Sequence, residues 1–257
     1  STDMYASMVA SGVWNEQDAR LALIQAFERS SRQPISSSTS LPSISGQAET
    51  SLDSHKVKVV ARCVRPYVVL LDNVLSNQEC DQILEYAFEQ GLSNSCVVDN
   101  SSGLSILHPG RTSTSLFFRK AQTPLISLIE ARLSAITNWP DSHAEGLQIL
   151  KYELDQQYEP HYDWFDVNHP GSAVHLQRGG QRVGTMVIYL VEPNAGGTTV
   201  FPKVGLEFSP KRGSGIFFRN MTDEGIPDSL TLHGGAPVEV GTKIVMSYWQ
   251  RQTDFDS

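Results

Sequence analysis

The apolar positions of this chain change period twice. In NEQDARLALIQAFERS, Ala and Leu recur at helical spacing and Asn15 stands where a cap belongs, so residues 4–30 read as helical within an N-terminal segment of residues 1–33. Residues 34–56 lose the period. Ser, Pro, Thr and Gly dominate there, as in a linker or loosely ordered arm. From Val57 the pattern becomes compact and stays so, which marks residues 57–257 as one folded domain. VKVVARCVRPYVVLLDNVL, rich in β-branched residues, reads as strands. Ser76 then caps a predicted helix, NQECDQILEYAFEQ, which Gly91 closes. A second helix is predicted from about Thr123 to Thr137, with Pro124 at its first position.

After Leu147 the segments are short and strand-like: LQILKYEL, TMVIYLVE, GGTTVFPK, LEFSP, GSGIFFRN, LHGGAPVEV and TKIVMSYWQR. Gly, Pro and Asn separate them. Many short strands at this spacing predict a sandwich or jelly roll, with the two helices on one outer face. The fold class is therefore mainly β with flanking helices. A doubly wound α/β fold is excluded because helices do not alternate with these strands.

Composition narrows the function. The chain has 257 residues, enough for a real core, and its 40% hydrophobic and 19% charged content fits a globular protein. The formal net charge of -8 argues against a nucleic-acid partner, which calls for a basic face. No apolar run is long enough to span a membrane. Cys63, Cys80 and Cys96 fit no zinc spacing and read as reduced structural thiols of a cytoplasmic protein, with Cys80 and Cys96 as core thiols. The chain opens on Ser1 rather than Met, which reads as a processed or trimmed N-terminus.

The candidate chemistry lies in QQYEPHYDWFD. On a strand, His161 and Asp163 share one face, so an imidazole and a carboxylate converge. His233, at the predicted start of a later strand, is the third candidate. Two histidines and one carboxylate on one face of a metal leave open positions, the arrangement of oxygen-activating non-haem Fe(II) sites. A rival pair, His143 and Glu145, follows Trp139-Pro140 and reads as an exposed loop. Lys243 opens an apolar strand, KIVMSYW, whose alternation places Lys243, Val245, Ser247 and Trp249 together. A lysine facing a β-barrel interior requires an anionic partner, and a bound dicarboxylate supplies one. Tyr152 and Thr199 can add hydroxyls, with Gly196 and Gly197 allowing the tight turn before Thr199. Trp164 and Phe165 read as core aromatics.

KYELDQQYEPHYDWF, QRVGTMVIYLVEPNAGGTTVFP and LHGGAPVEVGTKIVMSYWQR together resemble the prolyl 4-hydroxylase catalytic domain, a branch of the Fe(II)- and 2-oxoglutarate-dependent dioxygenases. The resemblance covers roughly residues 60–252. It implies a double-stranded β-helix, a cupin-like jelly-roll core packed against helices, and makes residues 57–257 a catalytic domain. It implies His161, Asp163 and His233 as iron ligands. Lys243 matches the residue that binds the distal carboxylate of 2-oxoglutarate, assisted by Tyr152 and Thr199. Tyr158, Arg182 and Trp249 match positions on the peptide side of the cleft, and GRTSTSLFF adds Arg111 and Ser113 to it. The implied reaction is hydroxylation of a peptidyl prolyl residue, converting 2-oxoglutarate and O2 to succinate and CO2, with ascorbate a candidate reductant. Val187, Ile216, Phe218 and Val245 are expected to keep the site dry. The same scaffold also suits another side chain, a free amino acid or a small molecule, and a non-catalytic metal-binding jelly roll is the less favoured reading. Residues 166–180 look longer than the usual link here and are expected to form a lid or loop over substrate.

Overall fold

The computed structural model describes residues 41–44 and 55–255. The helical segment expected within residues 1–33 lies outside them, as does most of the linker. The chain divides into two units, Ser1–Ser40 with Glu224–Ile226 and Leu41–Asp223 with Pro227–Ser257. Of the first, only residues 224–226 are described; all that follows concerns the second.

Helix α1 spans Asn77–Gln90, α2 Pro124–Thr137 and the short α3 Ser172–Leu176. The strands are β1 Lys58–Cys63, β2 Val68–Asp72, β3 Ser93–Asn94, β4 Cys96–Val98, β5 Ser105–Leu107, β6 Thr114–Phe117, β7 Gln148–Tyr152, β8 Tyr158–His161, β9 Arg182–Val191, β10 Ala195–Gly196, β11 Thr199–Phe201, β12 Leu206–Phe208, β13 Gly215–Arg219, β14 His233–Gly235, β15 Val238–Val240 and β16 Lys243–Arg251. One sheet holds eight strands in the order β1-β2-β13-β9-β16-β7-β6-β3, and a second holds four, β12-β11-β14-β8. Every paired strand in both is antiparallel. This is the jelly-roll sandwich the short strands predict. β4 and β5 form a separate hairpin.

Ser76 and Gly91 act as read. The Ser76 hydroxyl accepts from the Glu79 backbone, and the Glu79 carboxylate accepts from the Ser76 backbone, a complete capping box. Glu79 also takes two hydrogen bonds from Arg132 of α2, at 2.6 and 3.0 Å, which joins the two helices. Thr123 caps α2 through the Ile126 amide. Gly91 ends α1 at φ 78°, a backbone setting that glycine adopts without strain.

Strand alternation divides the core. Ile149, Met186, Ile188, Phe217, Ile244, Met246 and Tyr248 pack in one buried cluster with Ile83 and Ala87 of α1 and Ile126, Ile129 and Leu133 of α2. The other face of the large sheet carries Leu150, Tyr152, Tyr189 and Val245 in one cluster and Val68, Ile216 and Phe218 in another, the latter closed by Phe201 of the small sheet. Each such aliphatic or aromatic side chain contributes about 1.5–3 kcal/mol by leaving water. Residues 41–44, inside the stretch read as a loose arm, are packed on this domain, and Ile44 is only 1% exposed.

Candidate active site

β8 and β14 pair so that His161 stands opposite His233, and the two rings lie 4.5 Å apart. Glycine at 234 permits this approach, because a Cβ there would meet Tyr158 O at 2.8 Å. β8 ends at His161, so Asp163 sits in the bend beyond it rather than on the strand. Its carboxylate is aimed by other elements instead. Thr185 Oγ1 of β9 and Trp249 Nε1 of β16 donate to Asp163 Oδ2 at 2.8 and 3.0 Å. Asn220 Nδ2 in turn donates to Thr185 Oγ1 at 2.9 Å.

Each histidine donates its Nδ1–H to a carbonyl two residues earlier, His161 to Glu159 O at 2.8 Å and His233 to Thr231 O at 2.9 Å. A carbonyl can only accept, so both Nε2 lone pairs face inward. They lie 3.7 and 3.6 Å from the Asp163 carboxylate, and one ligating atom from each of the three residues falls within 4.8 Å of the others. Burial, reinforced by the neighbouring His233, lowers His161 to about 3 and keeps it neutral. Burial raises Asp163, but its interactions with the two neighbouring imidazoles and with the Arg182 guanidinium outweigh it and hold the carboxyl below its usual range. Neutral imidazoles and an ionised carboxylate are the forms that bind a metal. Two nitrogens and one oxygen, each braced by a hydrogen bond, fit Fe(II).

Lys243 stands opposite Tyr152 in the β16–β7 ladder and is 3% exposed. Its Nζ lies 5.4 Å from the Tyr152 ring centroid. Among the described residues no carboxylate pairs with it, and burial alone lowers its pKa to about 8. Two glycines make its berth. A Cβ at Gly197 would reach 3.3 Å from Lys243 Cδ, and one at Gly235 would reach 3.5 Å from Nζ. Thr199 pairs with Gly235 across β11 and β14, and Tyr189 Oη donates to Thr199 Oγ1 at 2.8 Å. An ammonium with no carboxylate partner among the described residues fits the far carboxylate of 2-oxoglutarate.

A cleft of about 710 Å³ opens at His161 and Asp163, with Arg111, Tyr158, Arg182 and Trp249 also in its walls. Tyr158 stacks on His161 at 3.6 Å between ring centroids. Arg111 lies 4.6 Å from the Tyr158 ring centroid and donates to Cys96 O and Gln148 Oε1. Arg182 lies 4.3 Å from the centroid of the Trp249 ring.

Several placements differ from the sequence reading. Ser113 is absent from these walls; it is buried, donates to Ser95 Oγ at 2.9 Å and lies beside Tyr152. The chain entering β6 lies beside β7, which carries Tyr152, and so brings Ser113 to the cosubstrate side. Glu145, read as part of an exposed loop, is a largely buried anchor, 12% exposed at its side chain. It accepts from Arg182 at 2.6 and 2.8 Å and from Arg251 at 3.0 Å. Burial raises its pKa, yet these two guanidinium groups hold it below the usual carboxylate range. Its partner in the rival pair, His143, instead faces Asp254 at 3.4 Å. Cys96, read as a core thiol, is half-buried and lines the cleft.

Residues 166–180 contain α3 and are clasped to the β4–β5 hairpin. Gly171 N donates to Asn100 O and His175 Nε2 donates to Gly103 O, both at 2.9 Å. The backbones touch at Gly103 and Gly171, where a Cβ on Gly171 would come within 2.4 Å of Gly103 N. Asp99, Asn100, Asp166 and His169 from the two sides all line the cleft. Thr185, Tyr189, Asn220 and Glu145 went unread as site residues. Their only sequence signal is a polar group inside or beside an apolar strand, which fixes no partner.

Residues 147–251 match the model of the 2OG-Fe(II) oxygenase superfamily. Prolyl 4-hydroxylase 2 of Arabidopsis thaliana is 34% identical over 226 residues, 80% of this chain and 73% of that protein. Probable prolyl 4-hydroxylase 4 of the same plant is 33% identical over 93% of this chain and 83% of its own length. Among solved structures, the viral collagen prolyl hydroxylase of Paramecium Bursaria Chlorella virus-1, crystallised with 2OG, superposes with a TM-score of 0.57 at 28% identity, covering 74% of this chain and 98% of that one. With the triad, the unpaired lysine and the jelly roll already in place, these matches mean that the chain belongs to the prolyl 4-hydroxylase branch of the 2OG-Fe(II) oxygenase superfamily.

Proposed function

We propose that this enzyme hydroxylates a prolyl residue within a peptide, converting 2-oxoglutarate and O2 to succinate and CO2. The observation that carries the chemistry is a metal-ready His161–Asp163–His233 cluster in the same sandwich as a buried ammonium that lacks a carboxylate partner among the described residues. The relatives named prolyl 4-hydroxylase support proline as the target. The aromatic wall of Tyr158 and Trp249 beside the cluster supports a ring-bearing substrate.

In this reading His161, Asp163 and His233 hold Fe(II), which when bound supplies the oxygen chemistry that no side chain can. Thr185 and Trp249 both donate to Oδ2 of Asp163, which leaves Oδ1 free to serve as the ligand. Lys243 neutralises the far carboxylate of 2-oxoglutarate, with Tyr152 and Thr199 as hydroxyl partners. Tyr189 fixes the Thr199 hydroxyl, and Ser113 lies beside Tyr152. Leu150, Val238 and Val245 keep water from this end. On the other side Arg111, Tyr158, Arg182 and Trp249 line the path of the peptide, and Glu145 fixes the Arg182 guanidinium. The side chains thus bind, orient and exclude water.

The test is succinate release from 2-oxoglutarate with Fe(II), with and without proline peptides, beside a His161→Ala control. Peptide-stimulated release, a 16 Da gain on proline and a silent control are expected. Turnover that ignores every peptide would remove proline as the substrate, and no turnover with metal bound would remove the enzyme.

A further inference from the structure

Residues 41–44 lie in a Ser/Pro-rich stretch outside the region matched to the superfamily, yet they dock on the catalytic domain through main-chain hydrogen bonds. Arg219 Nε donates to Pro42 O at 3.0 Å, and Ser43 N donates to Thr137 O at 2.8 Å. Ile44 N donates to Tyr67 Oη at 3.0 Å, and Arg62 Nη2 donates to Ile44 O at 2.6 Å. Every strap atom in these bonds is backbone, so the chain is gripped along its length. The apolar side chains then enter two different clusters. Ile44 joins the helix-side core with Ile83 and Phe217. Leu41 packs on Trp139, Val183 and Met221, the cluster that also receives Trp164.

That second cluster borders the metal-binding carboxylate on two sides. Trp164 follows Asp163 directly and lines the cleft. Its indole nitrogen is buried with no hydrogen-bond partner among the described residues, so packing alone sets the ring. On the other side, Arg219 and Met221 flank Asn220, which is wholly buried and holds Thr185, which holds Asp163. Asn220 N also donates to Val183 O at 3.0 Å. Pro42 thus hangs on Arg219, and Leu41 packs against the Trp139–Val183–Met221 cluster on which Trp164 also packs.

We infer that residues 41–44 form a strap that positions the Asp163 carboxylate, with Leu41 and Pro42 as the positioning residues and Ile44 as the anchor. The inference rests on the metal site proposed above. Neither residue touches the ligands; both act through the supports of Asp163. Loss of Leu41 frees Trp164 and Met221 to shift, and the carboxylate loses its fixed aim.

The test is Mn(II) binding by calorimetry on the full chain, without 2-oxoglutarate or turnover, so that catalysis does not enter. Leu41→Ala and, independently, Arg219→Lys are expected to weaken Mn(II) about tenfold. Leu41→Met restores the affinity. Ile44→Ala opens a cavity in the other cluster and lowers the unfolding midpoint, but leaves Mn(II) affinity within about twofold, since its cluster does not reach Asp163. Mn(II) affinity unchanged in Leu41→Ala and Arg219→Lys would overturn the inference. So would an equal loss in Ile44→Ala, because the strap would then matter only to stability. If the wild-type chain does not bind Mn(II), the metal site itself is wrong, a result distinct from a bound metal indifferent to the strap.

Discussion

Replacing Lys243 with methionine should stabilise the free enzyme while crippling cosubstrate binding. The side chain is 3% exposed, with no carboxylate partner among the described residues, and burial lowers its pKa from 10.5 to about 8. At 1.36 kcal/mol per tenfold change, that depression costs the folded state about 3 kcal/mol whenever the lysine is charged in both states. The sign follows from the direction of the shift. Below pH 8 the full cost is present. Between pH 8 and 10.5 the folded protein gives up the proton first and the cost fades. Lys243→Met, similar in length and uncharged, should therefore raise unfolding free energy by up to about 3 kcal/mol at pH 7 without 2-oxoglutarate, with the gain shrinking as pH rises. With 2-oxoglutarate the effect reverses. The distal carboxylate would be buried unpaired, at a cost of about 3–5 kcal/mol, so Kd should rise by about 200- to 5,000-fold. Urea unfolding at pH 7 and 9.5, with and without 2-oxoglutarate, reads both effects. A variant less stable than wild type at pH 7, with unchanged 2-oxoglutarate affinity, would refute the reasoning.

Glu145→Gln leaves Arg182 and Arg251 buried beside a neutral amide, and should cost about 3–5 kcal/mol in urea unfolding; an unchanged midpoint would show that the network is solvated. Thr185→Val removes the hydroxyl that donates to Asp163 at 2.8 Å, and should weaken Mn(II) binding by about 10- to 100-fold with unchanged circular dichroism. Gly171→Ala puts a Cβ 2.4 Å from Gly103 N, where only backbone can yield, so the clasp should part. The expected signs are a raised KM for peptide, faster proteolysis within residues 99–104 and an unchanged 2-oxoglutarate Kd. Continued resistance to protease would show that the clasp survives.

Local rules made much of the scaffold legible. Ser76 and Pro124 announce their helices because a cap or a first-position proline needs only its own first turn. Lys243 stands out because a lone cation in KIVMSYW breaks an apolar strand. His161 and His233 stand out by strand register, but register alone does not place Asp163: β8 stops before it, and Thr185 and Trp249 do the aiming. What stayed hidden is long-range pairing. Glu145 looks like a loop carboxylate until Arg182 and Arg251, 37 and 106 residues later, close on it. Ser113 looked like a neighbour of Arg111, but the strand beside β7 brings it to Tyr152. Leu41 and Ile44 are two apolar residues in a Ser/Pro-rich run, and nothing local distinguishes them from a linker.

The most direct measurement of the central claim is the fate of 18O2 in a single reaction of the enzyme with Fe(II), 2-oxoglutarate and a proline peptide. The account predicts one labelled oxygen in succinate and the other on the prolyl ring, in equal amounts. Label in succinate alone, or a hydroxyl group carrying oxygen from water, would contradict it.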